Sequence, residues 1–221
     1  LIVIAALAVY AGKEIATFKL TNPGGFNTWS PNFRCDEKGN LIVFNVETDL
    51  TGIVSKVTYE ARAKNGKVYS QGELPGVAGA LNIQTGGGVS RANGGFDKGF
   101  LLLQVQRSTV LMEYIMYKLG KNGAEKIGSL NFPLDPMTPW FTPIVYMYKK
   151  KIVAEIVTQP TNFNGKTTWE FKFFNYKLKQ DTKKGGIIKA HAQFWNGKSS
   201  AFVNYSPDPT FTNAEIKIFG P

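Results

Sequence analysis

VSKVTYEARAKNGKVYSQGE, residues 54–73, is the stretch whose reading decides the fold class. Residues 54–63 and 67–73 flank Asn65-Gly66, the dipeptide that supplies positive φ for a type I′ hairpin. The pair recurs at Asn93-Gly94, Asn122-Gly123, Asn164-Gly165 and Asn196-Gly197. Four of the five pairs lie between apolar or alternating runs, which predicts antiparallel sheets built from hairpins.

Working upstream, residues 41–47 (LIVFNVE) alternate like a half-buried strand, and residues 15–20 (IATFKL) read as strand or helix. Residues 21–33, which hold Trp29, form a turn-rich connector. Downstream, residues 84–100 (QTGGGVSRANGGFDKGF) are Gly-rich and predict an exposed loop. No Gly-Lys-Ser/Thr closes that loop and no dinucleotide spacing opens a helix from it, so phosphate binding is not its expected role. Residues 100–106 (FLLLQVQ) predict a buried strand. Residues 108–119 fit a helix capped by Ser108 or Thr109, or a strand pairing with residues 126–132 across Gly120-Lys121-Asn122-Gly123. Their β-branched and aromatic side chains favour the strand.

Pro133, Pro136, Pro139 and Pro143 then forbid a central strand and mark a stiff connector. It is either a domain boundary or the crossing between two sheets. Beyond it, strands are expected over residues 144–148, 152–158, 167–178, 187–195, 199–205 and 212–219. The expectation is all-β: an antiparallel β-sandwich, jelly-roll or Ig-like, as one large unit or two small ones. Residues 1–20 would form an apolar assembly segment, 21–135 a sandwich, and 136–221 a second sandwich or the other half of the first.

Composition agrees with a globular chain: 43 % hydrophobic, 19 % charged, 13 % aromatic and 23 Gly in 221 residues. Net charge is +10. Residues 136–221 carry 12 Lys and no Arg against 5 acids, a net of +7, whereas the first 135 hold 14 basic and 11 acidic residues. Lysine is a hydrated point charge, and phosphate and base readers favour Arg forks. The expected partners are therefore other copies of the chain, with anionic glycans or surfaces through the Lys-rich second half, and no specific nucleic acid. Single Cys35 excludes an internal disulfide and is expected to be buried.

Catalytic, cofactor and metal residues are expected to be none. The single histidine, His191, lies on an expected strand, and no motif joins it to Cys35. No Ser elbow or His-rich metal pattern is present. Asp36-Glu37 with Asn40 reads as a polar turn, since the calcium-loop spacing is missing. Trp29, Trp140, Trp169 and Trp195 invite comparison with a sugar-stacking platform, but strand alternation makes core packing the expectation for Trp169 and Trp195. Asn204-Tyr205-Ser206 is one glycosylation sequon, relevant on an exported chain.

The opening run, LIVIAALAVYAG, carries no charge. It starts on Leu with no basic stretch ahead of it, so Leu1 is expected to be a processed or trimmed start. As a helix the run reaches about 16 Å, roughly half a bilayer's hydrocarbon thickness. Three readings stay open: burial within its own domain, burial in a neighbouring copy as strand or helix, or a remnant of a signal or membrane span. Leu1, Ile2, Val3, Ile4, Leu7, Val9 and Tyr10 are the expected assembly residues.

An apolar segment followed by strands with Asn-Gly hairpins resembles the subunits of prokaryotic extracellular filaments, both pilin-like and donor-strand kinds. The resemblance implies a cell-surface polymer for adhesion or biofilm formation, and no enzyme. Two departures stand out: Lys13-Glu14 interrupts the apolar run, and the chain is basic. Alternative readings are a viral capsid jelly roll, a membrane-active or glycan-binding sandwich, and an enzyme.

Overall fold

A computed structural model describes residues 14–21, 32–85, 94–134, 143–148, 150–158, 168–188, 200–205 and 213–219. All regular structure among them is β, in antiparallel sheets, with no helix. The first sheet is a meander of β2 (Asn32–Cys35), β3 (Leu41–Thr48), β4 (Val54–Arg62) and β5 (Val68–Glu73). One turn design joins all four strands. Gly39, Gly52 and Gly66 each donate N–H to the carbonyl three residues back, on Asp36, Asp49 and Ala63, at 3.1, 3.0 and 2.8 Å. The carbonyls of Asn40, Ile53 and Lys67 then accept from the N–H of those same first residues.

This is a three-residue loop, a type I turn closed by a left-handed residue. The two-residue type I′ turn expected at Asn65-Gly66 is therefore corrected: Gly66 takes φ 83°, and Asn65 does not go positive. The extra loop residue explains this, because only the closing position of the longer loop needs positive φ. Asp36 and Asp49 also cap their turns, with Oδ1 accepting from the N–H of Lys38 and Asn40 in one and of Thr51 and Ile53 in the other.

The second sheet has the order β10-β9-β8-β6, with β7 also on β8. Its strands are β6 (Asn82–Gln84), β7 (Gly95–Asp97), β8 (Phe100–Ser108), β9 (Leu111–Gly120) and β10 (Gly123–Pro133). The expected pairing across residues 120–123 is present, with Gly120 opposite Gly123, and residues 111–120 are strand rather than helix. The loop expected over residues 84–100 is corrected in part: residues 95–97 pair with β8, and Phe96 is buried. Leu101 stands opposite Phe96 and supplies apolar cover that composition alone does not reveal.

Burial follows from alternation on two faces. Leu101, Leu103, Val105, Ile115 and Tyr117 join Ile42, Phe44, Val57 and Tyr59 of the first sheet in one cluster. Leu102, Tyr114 and Met116 point the other way, into a second cluster with Val145, Ile152 and Phe174. Both β8 and β9 are thus buried on both sides, which is why apolar residues dominate them without strict alternation. Each fully buried leucine contributes about 1.5–3 kcal/mol.

The third sheet, β11 (Ile144–Tyr148), β12 (Lys151–Thr158), β13 (Thr168–Phe174) and β14 (Gln180–Ile188), runs in sequence order. It supplies the far side of the second cluster, so one core spans the expected boundary at residues 135/136. A three-stranded sheet, β1 (Glu14–Thr21), β16 (Asn213–Phe219) and β15 (Ser200–Tyr205), has the order β1-β16-β15. Ala16 and Phe18 of β1 pack on Phe33, Cys35 and Leu41, on the side of the first sheet away from the second.

Candidate interaction surfaces

Leu1, Ile2, Val3, Ile4, Leu7, Val9 and Tyr10 lie outside the described residues. The chain enters the described fold at Glu14, the first residue of β1. Among the described residues β1 pairs along one side only, with Glu14 opposite Phe219 and Thr21 opposite Asn213. An edge strand presents a row of backbone donors and acceptors to a further strand. Asn204 of the sequon lies on β15, the other edge of this sheet, opposite Glu215, and Ser206 falls outside the described residues.

The meanders sort their turns to two ends of the stacked sheets. At one end the turns are tied across sheets. The Lys98 N–H donates to Asp36 Oδ2 at 3.3 Å, the Ser70 hydroxyl to the Gly120 carbonyl at 2.8 Å, and the Tyr176 hydroxyl to Asp97 Oδ2 at 3.5 Å. Every one of these turns carries lysine. Residues 36–40 present Lys38, residues 63–67 Lys64 and Lys67, residues 98–99 Lys98, and residues 121–122 Lys121, all exposed. From the third sheet, Lys150 adds an exposed lysine ahead of half-buried Lys151, and residues 175–179 add Lys177 and Lys179. Two of these ammonium groups stand near carboxylates: Lys38 lies 3.9 Å from Asp97, and Lys151 lies 3.8 Å from Asp181. Lys98 Nζ sits 5.7 Å from the centre of the Tyr69 ring.

The opposite end is apolar at its tips. Val54 donates its N–H to Ala80 at 2.9 Å, Leu81 to Gln106 at 2.8 Å, and Leu134 to Val110 at 2.9 Å, which brings three turns together. Their exposed side chains include Leu50, fully exposed at 107 %, with Val110 at 50 % and Leu81 at 41 %. Asp49 beside Leu50 is held below the usual carboxylate range by the Thr51 hydroxyl and by backbone N–H groups of its own turn. The sequence reading missed this division. Its signal was the recurrence of Lys in DEKGN, AKNGK, DKG, GKNG and NYKLK, all turns on the same side of alternating strands.

No family model and no curated protein matches the chain.

Inside the fold, polar groups tie neighbouring segments together. Glu113, on β9, accepts from Arg107 Nε at 2.5 Å and from Lys126 Nζ at 3.2 Å. Arg107 also donates to the carbonyls of Gly76 and Ala78, fastening residues 74–80 to the central sheet. Burial would raise the Glu113 carboxyl, but hydrogen bonds from Ser129, Arg107 and Lys126 outweigh it and hold it below its usual range. Cys35 is buried, and burial with help from Asp36 pushes its thiol up to about 12, the opposite of an activated nucleophile.

Asp36 and Asn40 meet, as expected, in a polar turn. Asp36 Oδ1 takes backbone N–H groups and Oδ2 takes Asn40 Nδ2 at 2.6 Å, so the turn itself occupies the carboxylate. Among the described residues no three His, Cys, Asp or Glu side chains gather as metal ligands. Trp29, Trp140, His191 and Trp195 lie outside the described residues, and Trp169 stands on β13 opposite Val157 and Ile188.

Proposed function

We propose that the chain is a structural subunit of an extracellular surface filament and assembles by burying Leu1 to Ala11 in neighbouring copies. One observation carries this reading: the uncharged run leads, within two residues, into an edge strand with one side unpaired among the described residues. Extended as a strand, such a run would add to the edge of another subunit's sheet, with main-chain hydrogen bonds giving affinity and alternate side chains filling pockets. Exposed to water instead, it would aggregate.

In this reading the stacked sheets are a sandwich-type head. Two apolar clusters support that description, each drawing side chains from two facing sheets. The head's interior charges serve packing, as the Glu113–Arg107–Lys126 group does, which suits a load-bearing module better than an enzyme.

Deleting residues 1–12 tests the proposal. Electron microscopy and sedimentation of the full chain should show polymers, and the deletion variant should remain a folded monomer by circular dichroism. Filaments from the deletion variant, or a monomeric full chain, would overturn it.

A further inference from the structure

We infer that the lysine-bearing turns at one end of the stacked sheets form a binding surface for an extended anionic polysaccharide, with carboxylate or sulfate groups along its length. The inference rests on the fold and stands apart from assembly through the N-terminal segment.

Charge placement is the first argument. Six turns from three sheets converge on this end, and each brings at least one lysine, so the surface draws on both halves of the chain rather than the Lys-rich second half alone. Among the described residues Lys64, Lys67, Lys121, Lys150, Lys177 and Lys179 stand in no ion pair. Facing sheets lie about 10 Å apart and strands about 4.8 Å apart, so the field is roughly 20 Å across. That span matches a run of charged sugars better than one bound anion. Charges converging this way raise the local concentration of a polyanion and steer its approach.

Side-chain chemistry selects among polyanions. Nucleic acids are read by Arg forks and by stacking on aromatic faces. Of the described arginines, Arg34 is buried, Arg62 is engaged by Glu60 and the Gly66 carbonyl, and Arg107 is held by Glu113. Two of the rings at this end are also engaged: Tyr69 lies under Lys98, and Tyr176 packs on Phe100 with centroids 4.8 Å apart, which leaves Tyr148 as the exposed ring there among the described residues. A lipid surface would want several apolar residues beside the lysines to enter it, yet Leu50, Leu81 and Val110 stand at the opposite end, and of the exposed large apolar side chains only Tyr148 borders the lysine turns among the described residues. Ammonium groups on long stems suit a polymer whose charges are spaced along a chain.

The test compares the full-length protein with two charge-matched variants: K64Q/K121Q/K177Q in the turns, and K19Q/K56Q/K217Q in the strands. Each is eluted from immobilised heparin by salt and titrated with polygalacturonate, duplex DNA and phosphatidylserine vesicles. The turn variant should bind polygalacturonate at least tenfold more weakly and lose about two to three units of salt slope, while the strand variant keeps wild-type behaviour. Equal losses in both variants would reduce the effect to net charge and overturn the inference. So would wild-type protein that binds the DNA or the vesicles more tightly than it binds polygalacturonate.

Discussion

Leu178 donates its N–H to the Asn175 carbonyl at 2.9 Å and closes, at φ 59°, a turn whose counterparts at residues 39, 52 and 66 close on glycine. Asn175 caps this turn as Asp36 and Asp49 cap theirs, its Oδ1 accepting from the N–H of Lys177 and Lys179. A left-handed leucine costs about 1–2 kcal/mol. It is retained because its side chain packs on the core between the second and third sheets. Burial of that side chain is worth about 1.5–3 kcal/mol when complete. Leu178→Gly should therefore lower stability by about 1 kcal/mol, read as a lower denaturant midpoint at unchanged slope. A rise in midpoint would show that relief of strain outweighs the packing.

Gly94 marks the junction of the central and third sheets, where its N–H donates to the Val145 carbonyl at 2.6 Å. Its φ is 102°, and a Cβ there would lie 2.5 Å from the Leu102 carbonyl oxygen. Gly94→Ala should cost about 3 kcal/mol or more, since both the backbone conformation and the space exclude it. Thermal melting tests this, and a variant within 1 °C of wild type would contradict the arrangement.

Glu113 gives the fold a pH dependence of known sign. Its folded pKa lies below its unfolded value of about 4.3, so its contribution is complete above that value. The contribution fades as pH falls through the folded pKa. Glu113→Gln should flatten the loss of stability in this acid window. At pH 7, Glu113→Ala should cost about 2–4 kcal/mol, because Arg107 and Lys126 lose their shared partner. Urea titrations of both variants at pH 7 and pH 3.5 separate the two effects.

Cys35 should resist alkylation in the native protein and react fully in denaturant, because it is buried and its thiol is pushed up to about 12. Rapid labelling by iodoacetamide at pH 8 under native conditions would show that β1 does not stay packed over the residue.

Much of the architecture was legible in the sequence because alternation and turn chemistry are local. The hairpin at residues 54–73, the pairing across residues 120–123 and the double burial of residues 100–106 all follow from neighbours within a few residues. The turn type at Asn65-Gly66 was misread because Asn-Gly also serves the longer loop, and the pattern shared by these turns is a left-handed closer three residues after the first residue, which is polar at Asp36, Asp49 and Asn175 but not at Ala63. Residues 95–97 were hidden by their glycines, since Phe96 alone signals a strand there. The meeting of β1 with β16 was beyond local reading, because about 200 residues separate the partners. The lysine-rich end was legible only in part: each turn shows its lysine, but which turns share an end depends on how sheets stack.

The pairing of Glu14–Thr21 with Asn213–Phe219 has a consequence for the newborn chain. A ribosome releases β1 about 200 residues ahead of its partner β16, at roughly 5–20 residues per second. For about ten seconds or more β1 must wait without that neighbour. The inner sheets can close meanwhile, so the sheet of β1, β16 and β15 is sealed after them, and loss of β16 would strip β1 of its mate far away in sequence.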